Sequence, residues 1–110
     1  MSTENPFASQ ETQEEITMTA VAESLIINPE DTELLVRFME QQEHKVESGE
    51  VTDLDYNVSL ADIYASVAEQ NPNFREFALQ AYLDAGTVAS HTPGKEEEAK
   101  SLLAKAETYR

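Results

Sequence analysis

Residues 51–60 read VTDLDYNVSL, and two incompatible structures compete for this string. Asp53, Asp55, Asn57 and Ser59 fall on alternate positions, as oxygen ligands do in the first half of a calcium-binding loop. Such a loop also needs a glycine at its sixth position and a bidentate acid at its twelfth. Counted from Asp53, those positions hold Val58 and Tyr64. A helix start accounts for the same residues better. Thr52 and Asp55 have the spacing of a capping pair, and Asp53 sits where the helix dipole favours negative charge. Leu54 and Val58 then begin an apolar row that continues through Ala61, Ala65 and Ala68. The string opens a helix, and no calcium site is expected.

Working outward, Leu60, Ile63, Tyr64 and Val67 broaden the apolar surface of this helix, so it is expected to be the most central element before it stops at Asn71-Pro72-Asn73. Upstream, Thr12 and Glu15 predict a first helix running to about Ile27, with Ile16, Ala20, Val21, Leu25 and Ile26 inward. Asn28, Pro29, Glu30 and Asp31 suit the cap and first turn of a second helix. Its stripe is Leu34, Leu35, Phe38, Met39 and Val46, and it stops near Ser48-Gly49. Downstream, Asn73 and Glu76 predict the cap of a fourth helix that buries Phe74, Phe77, Ala78, Ala81, Tyr82, Ala85 and Val88. After the loop 90–94, Glu96, Glu97 and Glu98 begin a last helix with Ala99, Leu102, Leu103 and Ala106 inside. Lys105 and Arg110 lie toward its C-terminal end, where the dipole favours cations. The strict alternation of strands is absent. The fold class is therefore all-α, with about five antiparallel helices in a small bundle or in stacked hairpins. Residues 1–9 read as a disordered tail and 10–110 as one helical domain.

Charge narrows the function. The 110 residues carry 22 acidic and 7 basic side chains, a formal charge of −15. Residues 1–55 hold fourteen acids and two bases, so −12 of that charge lies in the N-terminal half. Direct nucleic-acid binding needs a basic face, and anionic membranes repel an acidic one. Neither is expected as a partner. There is no cysteine, which fits a reducing compartment and removes disulfides, thiolate metal sites and cysteine nucleophiles. Residues 1–15 lack the basic region and apolar core of a secretory signal. A cytoplasmic location follows as the expectation.

Some helix segments resemble those of tetratricopeptide repeats. Ala99, Leu103 and Ala106 show that family's small–large–small spacing, Ala61, Ala65, Ala68 and Pro72 echo the same helix and its closing proline, and Tyr82 with Ala85-Gly86 resembles the partner helix. Ala65 stands where the family carries a bulky residue, and Pro72 comes one residue early. The resemblance spans residues 30–109 at most and implies a peptide- or protein-binding scaffold without catalysis.

Chemistry-bearing constellations are sparse. Glu40 and His44 lie one turn apart, but a carboxylate-bridged metal site needs paired motifs from several helices, and Glu40, Glu43, His44, Lys45 and Glu47 read as a solvated face. No serine sits in a glycine-flanked elbow, and His91 belongs to a turn before Pro93-Gly94. No catalytic, cofactor-binding or metal-binding residue is assigned. Tyr56, Tyr64, Tyr82 and Tyr109 fit either a peptide groove or helix packing, with packing as the default. The expectation is a non-enzymatic protein-interaction module of the adaptor, chaperone-like or assembly-factor kind. It would bind another protein, possibly basic, through a helical groove or an acidic face. The candidate partner-binding residues are Glu30, Asp31, Glu33, Glu40, Glu43, Glu47 and Tyr56. A homo-oligomer would cover the broad apolar circumference of helix one. The alternative is an acidic mimic of nucleic acid that blocks a basic protein, as phage or viral host-takeover factors do. That role predicts a surface row of carboxylates.

Overall fold

The computed structural model describes residues 15–110, which form five α-helices and one 3₁₀ turn without a strand among them. They are α1 (Met18–Ile27), α2 (Glu33–Ser48), α3 (Asp53–Gln70), α4 (Arg75–Ser90) and α5 (Glu96–Glu107), with the 3₁₀ turn Pro72–Phe74 between α3 and α4. The expected all-α class holds. The expected tail boundary at residues 9 and 10 lies outside the described residues, as does Thr12.

Helix ends follow local chemistry, with three departures from expectation. Thr52 caps α3 as read, its Oγ1 accepting from the Asp55 amide at 3.0 Å. Gly49 closes α2 in the left-handed conformation at φ 85°, which costs glycine no Cβ clash. The first departure is the start of α1. Glu15 lies before the helix, and Thr17 is the cap, its Oγ1 accepting from the Ala20 amide at 3.1 Å. The second and third share a cause. Proline drives the residue before it into extended backbone, so Asn28 and Asn71 end the helices that precede them. Asn28 Oδ1 accepts from the Glu30 amide, and Asn71 Oδ1 from the Asn73 amide, each two residues on. Asn28 therefore caps no second helix, which begins five residues later at Glu33, and Asn73 does not cap α4.

Successive helices run antiparallel. Ile16, ahead of α1, donates its amide to Gln41 Oε1 on α2. Tyr56 at the start of α3 reaches Glu43 late in α2, and Arg75 at the start of α4 bonds the Thr108 carbonyl beyond α5. The helices follow the order α5, α4, α3, α1 across a flattened layer, and α2 packs against both α1 and α3, so that three helices meet at that end. The Cα envelope measures 54 × 36 × 14 Å, so the molecule is flat. The central position expected for α3 is observed.

Two apolar clusters fill this layer. Val21, Leu25, Phe38, Ile63, Val67 and Phe74 join α1, α2 and α3, while Leu54, Ala61, Tyr82, Ala85, Ala89 and Leu102 join α3, α4 and α5. Alanines at the α3–α4–α5 contacts let the helices approach closely. Gly86 does so to the limit, because a Cβ there would come within 2.6 Å of Leu103 Cδ2. Tyr82 donates to Asp62 at 2.5 Å, and its ring stacks on Tyr109. Three residues expected inside are open to solvent: Ile26 at 37%, Phe77 at 54% and Leu103 at 40% exposure. Among the described helices α1 and α4 each pack against two others and α5 against one, so an apolar surface wider than its contacts cannot all be covered.

Candidate protein-binding groove

Where α3 and α4 meet, their outward rows form a groove on one face of the layer. Along α3 the row is Asp53, Asn57, Leu60 and Tyr64, and along α4 it is Phe77, Ala81, Asp84 and Val88. Both follow the helical repeat of three to four residues. Asn57, Leu60, Tyr64, Phe77, Gln80, Ala81 and Asp84 line a depression of about 250 Å³. Further along the same seam, Asp53, Leu54, Val88, His91 and Lys95 line a second of about 370 Å³. Antiparallel packing sorts the chemistry by position. The aromatic residues gather at one end, Leu60 and Ala81 form the middle, and Asn57 and Asp84 mark the polar end.

The aromatic end is a three-ring cluster. Phe74 is buried and roots it, while Phe77 stands outside. The Phe77 centroid lies 5.4 Å from Phe74 and 5.6 Å from Tyr64. The 3₁₀ turn positions this pair, because Asn71 and Pro72 fix the entry into α4 so that Phe74 points into the core and Phe77, one turn on, clears it. Burial raises the Tyr64 hydroxyl pKa, so the ring stays neutral. At the polar end Gln80 Nε2 donates to Asp84 Oδ1 at 3.0 Å, leaving the carboxylate exposed.

The acidic residues singled out from sequence lie elsewhere. Glu33, Glu40, Glu43 and Glu47 are exposed along α2, and Glu30 and Asp31 lie in the turn before it. Asp31 Oδ1 accepts from the Glu33 amide. The structure brings only Glu43 and Tyr56 together: the hydroxyl donates to Glu43 Oε2 at 3.4 Å. Burial first and the Glu43 charge second push its pKa up to about 12. His44 faces solvent 3.9 Å from Glu47. None of the seven lines the α3–α4 groove. Of the other tyrosines, Tyr82 is core and Tyr109 stacks on it beneath Arg75, whereas Tyr64 does line the groove. Sequence reasoning missed Leu60, Phe77 and Asp84. The available signal was the apolar breadth of α3 beside an aromatic pair three residues apart.

No group of three or more His, Asp or Glu side chains among the described residues is placed to hold a metal ion. No described helix is long and apolar enough to cross a membrane. Compared with known proteins, the chain matches no family model, no curated protein and no solved structure.

Proposed function

We propose that this chain is a non-enzymatic protein-interaction module, an adaptor or assembly factor of the cytoplasm, and that its contact surface is the α3–α4 groove. Phe77 carries the reading. A phenylalanine more than half exposed, backed by two packed rings and open to a groove, has the features of a binding anchor. The antiparallel pairs α3–α4 and α4–α5 are compatible with the resemblance to tetratricopeptide hairpins, and a scaffolding role suits both. The acidic-mimic alternative draws on Glu33, Glu40 and Glu47, which recur every seven residues on exposed positions of α2. That interval is about 10 Å, and Arg37 and His44 interrupt the row, so the groove is preferred.

Affinity capture from the native host decides between them, using the wild-type chain, Phe77→Ser, and the double charge reversal Glu40→Lys/Glu47→Lys. A partner lost with Phe77→Ser and kept by the charge reversal supports the groove. The opposite pattern refutes it in favour of the acidic face.

A further inference from the structure

The groove has a direction, and that direction selects its occupant. Tyr64 and Asn57 are seven residues apart on α3, as are Phe77 and Asp84 on α4. Both walls therefore separate the aromatic end from the polar end by about 10 Å, and the row from Asp53 to Tyr64 extends about 16 Å. A straight channel of this length between two helices suits about three turns of a third helix, with an apolar face toward Leu60 and Ala81. Two carboxylates stand at the polar end, where Asp84 is exposed and Asp53 continues the α3 row. Lys95 lines the same depression as Asp53, but its ammonium lies 3.7 Å from Glu98, which offsets its charge. Around this stands a chain of net charge −15, which repels an acidic ligand and a second copy of itself.

We infer that the α3–α4 groove binds a basic amphipathic helix, with an aliphatic or aromatic anchor between Tyr64 and Phe77 and a Lys or Arg two turns away against Asp84 and Asp53. This rests on the proposal that the groove is the contact surface. It adds the partner's chemical class, its conformation and the orientation in which it docks.

The probe is a synthetic peptide of about 18 residues, long enough to hold helix, with leucines along one face and lysines elsewhere. A leucine–glutamate version and a scrambled leucine–lysine version serve as comparators. Binding is read by fluorescence anisotropy, and amide shift perturbations on the unmodified chain locate the contact without any mutation. The leucine–lysine helix should shift amides along residues 53–64 and 77–88. Phe77→Ser and Asp84→Lys should each weaken it about tenfold, as loss of a central anchor or a charge partner does. Glu40→Lys/Glu43→Lys, a larger charge change away from the groove, should weaken it by no more than about twofold. Equal, Phe77-dependent binding of the leucine–glutamate helix would overturn the basic partner while leaving the groove standing. Binding that ignores Phe77 and sequence order, but falls with the α2 reversal, is unspecific attraction to an acidic chain and overturns the inference. Absence of binding by either helix, or self-association abolished by Phe77→Ser, overturns both the inference and the groove as a site for a different protein.

Discussion

Replacing Gly86 by alanine tests whether α4 and α5 pack as closely as described. Two opposing effects act on this residue. Within a helix alanine is favoured over glycine by roughly 1 kcal/mol, through backbone entropy. Against that, the new Cβ would sit 2.6 Å from Leu103 Cδ2 and 2.8 Å from Cγ, both well inside contact distance. Leu103 must move, and because it is 40% exposed it can swing outward rather than force the helices apart. Full burial of a leucine is worth about 1.5–3 kcal/mol, so releasing its covered three-fifths costs roughly 1–2 kcal/mol. The sum predicts Gly86→Ala to be neutral or destabilising by up to about 1 kcal/mol. In a Leu103→Ala background the obstruction is gone, and the same substitution should stabilise by close to the full propensity difference. The double-mutant cycle, measured by urea unfolding with far-UV circular dichroism, should give a coupling of about 1–2 kcal/mol with a change of sign. An identical effect of Gly86→Ala in both backgrounds, within about 0.5 kcal/mol, would show that the two residues do not touch and that α4 and α5 are further apart.

Four further outcomes are expected. Thr52→Ala removes the acceptor for the Asp55 amide and should cost about 1 kcal/mol, lowering Tm by several degrees in a thermal melt. Calcium chloride should leave both melts unchanged, and a calcium-dependent rise in Tm would reinstate the ligand reading of residues 53–59. Tyr56 and Tyr82 both titrate above the ordinary tyrosine value when folded, Tyr56 near 12, because burial disfavours the phenolate and Glu43 and Asp62 repel it. An acid whose folded pKa is raised stabilises fully below the unfolded value and loses that contribution as pH climbs, here from about 10 toward 12. Tyrosinate absorbance alongside circular dichroism should show late ionisation coupled to unfolding, and Tyr82→Phe should blunt the alkaline loss. Gly49→Ala meets no atom within 4 Å but must hold φ 85°, so it should cost about 1–2 kcal/mol from the backbone alone. Gly49→Asn should cost less.

The sequence alone determined the all-α class, the cap at Thr52, the stop at Gly49 and the central place of α3. These rest on contacts within four residues of one another, where capping, dipole and periodicity act before any tertiary partner is chosen. The two Asn-Pro pairs show the limit of such rules. Each asparagine ends the preceding helix and accepts from the amide two residues on, so that Asn71 caps only the 3₁₀ turn and Asn28 closes a turn that does not run into α2. The acidic stretch 30–47 was equally legible as charge, yet charge says nothing of what shape faces it.

Tertiary structure alone decided the groove. Phe74 and Phe77 differ by 60° around α4, and both fit an apolar stripe. Which of them enters the core depends on where α3 lies, and α4 has only α3 and α5 as helix neighbours among the described residues. An apolar surface as broad as that of α3 would vanish if a further helix covered the α3–α4 seam. Here its outer edge, Leu60 and Tyr64, meets Phe77 and stays open. Local periodicity specifies how much apolar surface a helix carries, but only the packing of the whole chain settles how much of it water still reaches.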